Sequence, residues 1–506
     1  MLGGLTARGV AVLSISLDHH SEEPIYRQIT RHLASQIEAG VLGPGTRLPP
    51  TRDLARQLGI ARISVVAAYE ELKAAGYISA HVGRGTFVAR RSALTEPAEA
   101  GTAALTGAGR SQIAPLRDLL ALSERPGVIN FAQGTPAESF LPVDLIRRAI
   151  NTVLERDGAT AIAYEVPEGY PPLREAVAAM VARIGIRVRA DEVLITGGCQ
   201  QALDLAVQAL LNPGDVLLTS NPTYAGILEI TQARGVTAIG VPVDADGMQT
   251  DPLESLIIEH RPRLLYIAPT YHNPTGTVMP LNRRRHLLDV AARYHLPVLE
   301  DGVYEDLTYA GTPPPPLKAL DEHDIVLYAS SFSKLLMPGM RVGYLLVSGR
   351  LYRRLVRVKG AADICTPALN QRAIHLALTS GQIAEHLTHV QALCRTRRTA
   401  ILEAVATHLP EVRWIEPAGG LYLWLELPHS GPTATELYLQ AVQEGVAFAP
   451  GPLFHTDGQG AYHLRLNMIA YPPEVIAEGV RRLEKAWRDL ATDYHPPERE
   501  RSMPFV

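Results

Sequence analysis

The chain has 506 residues and a formal charge of −4, so it is longer than a single small module and is not, as a whole, a polybasic coat for nucleic acid or membrane. Hydrophobic residues at 46% and charged residues at 20% exclude a wholly disordered or collagen-like chain. Three scattered cysteines, Cys199, Cys365 and Cys394, provide neither a metal knuckle nor a disulfide framework, so a reducing, cytoplasmic setting and no metal are expected.

No run of about 18 apolar residues marks a membrane span. Residues 1–18 read as an N-terminal extension. Its apolar stretch from Gly9 to Leu17 follows Arg8 but is short and lacks the small-residue cleavage site of a secretory signal. A basic module is expected at 19–90. Between residues 24 and 90, nine Lys/Arg stand against four acids, a net +5, which leaves −9 for the rest of the chain. That asymmetry predicts a small basic module attached to a large acidic body.

Ile25, Ile29, Leu33 and Ile37 recur every four residues, the apolar stripe of an amphipathic helix that stops before Gly40 and Gly43-Pro44-Gly45. A short second helix is expected to be capped by Thr51, to bury Leu54, Ala55 and Leu58, and to break at Gly59. A third helix begins near Arg62 and runs to about Ala75, with Val65, Tyr69 and Leu72 inward. Tyr77-Ile78-Ser79 and Gly85-Thr86-Phe87-Val88 read as two short strands around the turn His81-Val82-Gly83-Arg84. Helix, tight turn, helix is the geometry that sets a helix into a major groove, and the hairpin is a wing. A solvated face is the plain alternative for any one of these arginines. It does not account for turn, helix and wing occurring together at this spacing.

The order resembles the winged helix-turn-helix of the GntR family of bacterial repressors, carried by Pro24-Ile25-Tyr26, Pro44-Gly45, Leu48-Pro49, Arg52-Asp53-Leu54-Ala55 and the run from Gly83 to Val88. The resemblance implies that Arg52 and Arg62 contact phosphates or base edges and that Ile63 and Ser64 sit at the tip of the recognition helix. It also implies that His81, Gly83 and Arg84 of the wing turn approach the minor groove. Arginine suits this work because its planar fork donates two bonds at once. Ala61 departs from the family, which usually has Ser or Thr there.

Residues 91–112 have Ala, Gly, Ser or Thr at 14 of 22 positions and read as a flexible linker, on the order of 25 Å root-mean-square and up to about 70 Å stretched. Beyond Ile113, apolar strand-like runs alternate with helical stretches: Val193–Thr196, Val216–Ser220, Leu264–Ala268, Val298–Glu300, Ile325–Ala329 and Val342–Val347. Alternation on this scale predicts an α/β unit at 113–491, with a mainly parallel sheet covered on both faces and a smaller C-terminal subdomain. Residues 492–506 read as a tail.

In such sheets the functional residues gather at the carboxyl ends of strands. After the fifth run come Ser331, Ser333 and Lys334, with Arg341 seven residues further on. After the fourth come Asp301 and Tyr304, and after the third Asn273. After the first, Gly198-Cys199-Gln200 is a glycine turn opening a helix whose free N–H groups suit a phosphate. Each piece has a role around pyridoxal 5'-phosphate. Lys334 forms its Schiff base, Asp301 keeps the pyridine nitrogen protonated, and Tyr304 and Asn273 donate to the phenolic oxygen. Tyr224 stacks on the ring, and Gly198, Cys199, Gln200, Ser331, Ser333 and Arg341 surround the phosphate. Lys334, once displaced, is the base that moves the proton from Cα. Arg465, inside a strand-like run, needs an anion if buried, which a ligand carboxylate would supply.

From about Ile113 to Ala491 the chain resembles the fold-type I aminotransferases of class I/II, including Phe131-Ala132-Gln133-Gly134-Thr135-Pro136 and the run from Tyr164 to Arg174. The resemblance implies a homodimer in which Tyr164 reaches the neighbouring subunit's cofactor phosphate. It places Gly134 and Asn273 with Arg465 around the ligand. A GntR-type reader, a linker and an aminotransferase-like body together resemble the MocR family of bacterial regulators. That implies a pyridoxal phosphate-dependent, DNA-binding transcriptional regulator sensing an amino acid or amine through external aldimine formation, with transamination as a further capacity. The alternative is a working amino-acid aminotransferase that passes its amino group to a 2-oxo acid and carries a secondary DNA-binding module.

Overall fold

The structure is a computed structural model. It describes residues 15, 17, 24–38, 42, 46–74, 77–81, 85–88, 123, 125–334 and 337–492. The expected linker, Gly83 and Arg84 of the wing, residues 493–506 of the tail and nearly all of the N-terminal extension lie outside the described residues. The chain divides into two compact units, Met1–Ala114 and Pro115–Val506.

In the first unit, α1 (Ile25–Glu38), α2 (Thr51–Leu58) and α3 (Arg62–Ala74) precede the hairpin of β1 (Ile78–His81) and β2 (Gly85–Val88). The four-residue spacing of Ile29 and Leu33 puts both on one face of α1. They pack against Leu54, Val65, Ala68, Leu72, Ile78 and Val88 in one small core. Ile15 and Leu17, partly buried, also lie against that core. Tyr69 donates from its hydroxyl to the Pro49 carbonyl at 2.8 Å, tying α3 to the approach to α2. Thr51 is the first residue of α2 and not its cap: Pro50 takes the cap position with no side-chain capping bond. Consecutive prolines at 49 and 50 hold the approach extended, so the helix can begin only at the next residue. Gly59 ends α2 as expected, left-handed at φ +67°, with its N–H returning to the Ala55 carbonyl.

The second unit is built on an eight-stranded sheet. Its strands are β4 (Val193–Thr196), β5 (Val216–Asn221), β6 (Thr237–Asp244), β7 (Gly247–Met248), β8 (Leu264–Ile267), β9 (Val298–Asp301), β10 (Val326–Ser331) and β11 (Gly343–Leu346), in spatial order β4-β11-β10-β9-β8-β5-β6-β7. The pairs linking β6, β5, β8, β9 and β10 are parallel, whereas β11 runs antiparallel to both β10 and β4. Successive residues of each strand go to opposite faces. Leu217, Leu264, Leu299 and Leu327 join one core, and Leu218, Leu265, Val298 and Val326 the other. Two buried faces are why these strands read as unbroken apolar runs.

Beside it, β3 (Ile129–Asn130) pairs with β14 (Val446–Ala447), and β12 (Arg413–Trp414), β13 (Tyr422–Glu426), β16 (His463–Asn467) and β15 (Ala449–Pro450) form a four-stranded antiparallel sheet in that order. The β13–β16 register sets Trp424 opposite Arg465 and Tyr422 opposite Asn467. Long helices at Gln382–His408 and Pro473–Thr492 complete this smaller subdomain. Among the described residues no helix is long and apolar enough to cross a membrane.

Candidate active site

The carboxyl ends of β4, β8, β9 and β10 converge on a cavity of about 520 Å³. Asp301, the last residue of β9, is buried in its lining. One carboxylate oxygen accepts from the Tyr266 hydroxyl at 2.9 Å; the other accepts from the Val303 N–H at 3.2 Å and the Cys199 thiol at 3.4 Å. Burial raises the Asp301 pKa above the usual carboxylate value, while the bonds from Tyr266 and Cys199 act in the opposite sense. Burial, with Asp301 alongside, pushes the Cys199 thiol well up, so the sulfur is a hydrogen-bond donor and not a thiolate.

The turn after β4 opens the helix Cys199–Leu210. Gly198 sits at φ +97°, and a Cβ there would lie 2.6 Å from the Arg341 guanidinium. Only glycine lets the arginine rest against this turn. Arg341 donates to the Gly197 carbonyl at 3.0 Å. The Gly197 N–H donates to Gln201 at 2.6 Å, Gln201 donates to Asp363 at 2.9 Å, and the fully buried Lys359 donates to Asp363 at 2.9 Å. An ion pair with a buried cation therefore pins the turn from behind. Cys199 and Gln200 at the start of this helix, the Arg341 guanidinium and the buried Ser331 and Ser333 line the cavity together, and free helix N–H groups, a guanidinium and hydroxyls are the chemistry of a phosphate seat.

Lys334, three residues past β10, donates from its ammonium to the Gly134 carbonyl. Tyr224 lines the cavity and donates to Gln200 at 2.9 Å, and Gln200 donates to the Gly226 carbonyl at 3.2 Å. Tyr304 is buried and donates to the Tyr422 hydroxyl at 3.4 Å. Arg465 is buried in β16. Its guanidinium donates to Asn273 at 2.9 Å and to the Ala132 carbonyl at 2.8 Å, and lies 3.9 Å from the Tyr422 ring and 4.8 Å from the Phe454 ring. Its Nε is buried with no hydrogen-bond partner among the described residues. A buried cation with a spare donor, and with an amide and a carbonyl as its bonded partners, is a site for an anionic group.

Lys334, Asp301, Asn273, Tyr304, Cys199, Gln200, Tyr224, Ser331, Ser333, Arg341, Gly134 and Arg465 all line this cavity. Gly198 supports it through Arg341. Tyr164 does not line it; the residue is 85% exposed. Tyr266 and Tyr422 are among the cavity residues that lie outside the sequence-based expectations. Tyr266 lies within a run that reads only as an apolar strand, and its approach to Asp301 follows from the pairing of β8 with β9. Tyr422 lies on β13, whose pairing with β16 brings it beside Arg465, and no local motif marks either contact. In the first unit Arg52 and Arg62 are exposed on α2 and at the start of α3, and Ile63 and Ser64 follow in the first turn of α3. Backbone bonding from Ser64 N–H to the Ala61 carbonyl at 3.1 Å starts that helix without a hydroxyl cap. His81 ends β1.

The donor set fits pyridoxal phosphate: a lysine amine, a buried acid to face a ring nitrogen, phenol and amide groups beside a phenolic oxygen, and a phosphate seat. Fold and cavity together define a pyridoxal phosphate-dependent protein of aminotransferase fold type I. Residues 126–483 match the family Aminotransferase class I and II, and residues 25–88 match the Bacterial regulatory proteins, gntR family. A crystal structure of LysN, the alpha-aminoadipate aminotransferase of Thermus thermophilus, complexed with N-(5'-phosphopyridoxyl)-L-leucine, superimposes with a TM-score of 0.71 at 37% identity, covering 78% of this chain and 98% of that one. The uncharacterized HTH-type transcriptional regulator YisV of Bacillus subtilis is 31% identical over 88% of this chain and 92% of its own length. The probable rhizopine catabolism regulatory protein MocR of Rhizobium meliloti is 29% identical over 94% of this chain and 96% of its own. The chain belongs to the class I and II aminotransferase family and has the MocR-type organisation, a GntR-family DNA-binding module fused to that body.

Proposed function

We propose that this protein is a cytoplasmic, homodimeric transcriptional regulator that binds operator DNA through its GntR-type module and senses an amino acid or amine in the cofactor cavity. The observation that carries the reading is one cavity uniting Lys334, Asp301 and the Gly198–Arg341 seat in a chain that also holds the helix-turn-helix. The chain would divide into an extension at 1–18, a reader at 19–90, a linker at 91–112, a cofactor-binding body at 113–491 and a tail at 492–506.

When bound, pyridoxal phosphate supplies an aldehyde that condenses with primary amines and a ring that accepts electrons. Lys334 would hold the cofactor, Asp301 would keep a proton at the ring nitrogen, and Asn273 and Tyr304 would donate at the phenolic oxygen. Tyr224 would cover one ring face. Gly198, Cys199, Gln200, Ser331, Ser333 and Arg341 would hold the phosphate. Arg465, oriented by Asn273 and with Gly134 nearby, would bind the ligand carboxylate, and Lys334, once free, would move a proton at the ligand's Cα. Tyr164 is exposed together with Val143, Leu154, Ile162 and Val166, an apolar set within one stretch of chain that suits contact with a second copy and a reach into its phosphate seat. Arg52, Arg62, Ile63, Ser64 and the wing residues His81, Gly83 and Arg84 would read the operator. Ligand binding shifts DNA affinity only through differential affinity for the two states of the protein.

A second reading, turnover as an aminotransferase, is favoured by the same intact set of Lys334, Asp301, Tyr304, Asn273 and Arg465. Incubation with single amino acids plus 2-oxoglutarate, following the keto acid formed, is compared with electrophoretic shift of the DNA upstream of the protein's own gene. A shift that Arg62→Gln weakens and a ligand alters supports the regulator; rapid turnover with no shift of any DNA overturns it. Loss of the cofactor's visible band in Lys334→Ala tests the seat itself.

A further inference from the structure

The helix Gly349–Asp363, which follows β11, carries a charge that neither the cofactor cavity nor the reader uses. Leu355 is buried in one core of the central sheet, and Leu351, Tyr352, Val356 and Val358 of the same helix pack against that core. Arg350, Arg353, Arg354 and Arg357 are exposed, and every exposed position from 350 to 357 is an arginine. The last three follow Arg350 at three, four and seven residues, so all four share one helix face, opposite the packed one.

Elsewhere the body's helices carry matched charges: Arg147 pairs with Asp144, Arg293 with Glu254 and Arg481 with Glu478, at 2.6 to 2.9 Å. On this helix none of the four arginines has a hydrogen bond or ion pair among the described residues. Its one acid, Asp363, is taken by the buried Lys359 and by Gln201, each at 2.9 Å. Four like charges at neighbouring helical positions repel one another, and an external anion would offset them. They do so on a chain whose residues outside 24–90 sum to −9, so the patch is a local reversal of sign.

We propose that this arginine face is a second DNA-binding surface, holding the phosphate backbone of duplex that flanks the operator. The inference rests on the regulator reading, in which the GntR-type module binds that operator. Planar guanidinium forks suit phosphate oxygens, and contacts of this kind hold a duplex without reading its sequence. From Arg350 to Arg357 the helix rises about 10 Å, and one DNA strand advances about 3.4 Å per phosphate, so the face matches about three phosphates. A reader seated on its operator tethers the body to the same duplex, which raises the effective concentration of a second, weaker contact.

The test is fluorescence anisotropy of the cofactor-loaded full-length protein with labelled DNA from upstream of its own gene. One fragment is trimmed to the segment the protein protects from nuclease, and a longer one includes the flanking duplex. The wild type should bind the longer fragment more tightly and with a steeper dependence on salt. A fourfold variant, Arg350→Gln, Arg353→Gln, Arg354→Gln and Arg357→Gln, should lose that gain. Its plot of log affinity against log salt on the longer fragment should be shallower by about 2.7, or about 40-fold less loss of affinity between roughly 50 and 200 mM salt. Arg354→Gln with Arg357→Gln alone should give about half that change in slope, and lysine at all four positions should keep the wild-type slope. The cofactor's visible band should be the same in every variant. Equal affinity and slope for the wild type and the fourfold glutamine variant would overturn the proposal and leave the helix a solvated face. Loss of slope with lysine as with glutamine would overturn it too, because charge would not be the cause. No binding of any DNA by the wild type would instead sink the regulator reading.

Discussion

Replacing Arg465 with Gln tests how the cavity recognises its ligand. The guanidinium is fixed by Asn273 and the Ala132 carbonyl, held near two ring faces, and left with a buried donor that nothing among the described residues occupies. A carboxylate arriving there forms a charge-assisted bond worth about 1.5–3 kcal/mol, or roughly 10- to 150-fold in affinity at about 1.4 kcal/mol per tenfold. The assay is titration of the cofactor-loaded protein, followed by visible absorbance, with an α-amino acid and with the amine that lacks only its carboxylate. Arg465→Gln should weaken the amino acid by that factor and leave the amine within about threefold. Thermal melting run in parallel separates this from general loss of structure, because the substitution also removes donors from Asn273 and Ala132. Equal weakening of both ligands, or no weakening of the amino acid, would refute the assignment of Arg465 to a carboxylate.

Gly198→Ala should sharply reduce cofactor retention measured by dialysis, since its methyl would meet Arg341 at 2.6 Å, whereas Gly339→Ala, with open space around it, should not; equal retention in both would contradict the seat. Tyr69→Phe leaves the Pro49 carbonyl without its partner and should destabilise the reader by about 1–3 kcal/mol in chemical denaturation, lowering DNA binding without changing the cofactor band. Burial, with Glu300 nearby, lifts the Glu305 carboxyl to about 8 in the folded protein, well above its ordinary 4.5. The folded state then binds more protons than the unfolded chain between those values, so its contribution to stability falls as pH rises through that window. Melting temperature against pH should show this slope, and Glu305→Gln should flatten it; an identical slope would place the effect elsewhere. Arg62→Gln should make the plot of log DNA affinity against log salt shallower by about 1, the share of a single phosphate neutralised, and an unchanged slope would remove Arg62 from the phosphate backbone.

Much of the site was legible because its chemistry is local. Ser331 ends one strand with Ser333 and Lys334 just after it, and Gly198-Cys199-Gln200 makes a turn after another, so strand ends and glycine spacing locate them without tertiary information. In the reader, the four-residue stripe of Ile25, Ile29, Leu33 and Ile37 and the break at Gly59 likewise arise from backbone geometry. Thr51 misleads because a hydroxyl beside a helix start looks like a cap, while the two prolines before it set the true boundary.

Sequence by itself therefore determined the basic reader, the α/β body with its doubly buried strands, and the place of the lysine, the acid and the glycine turn at the strand ends that line the cavity. Each of these depends on residues close in the chain or on a repeat imposed by one element. Tertiary structure alone decided that Tyr266 braces Asp301, that buried Lys359 pins the turn after β4 through Asp363 and Gln201, and that Tyr422 meets Arg465, Tyr304 and the Gly134 that holds Lys334. The bonds from Gln201 to Asp363, from Tyr304 to Tyr422 and from Lys334 to Gly134 each join residues more than a hundred positions apart. Strand order and register place them, and the short-range periodicity of a sequence does not record either.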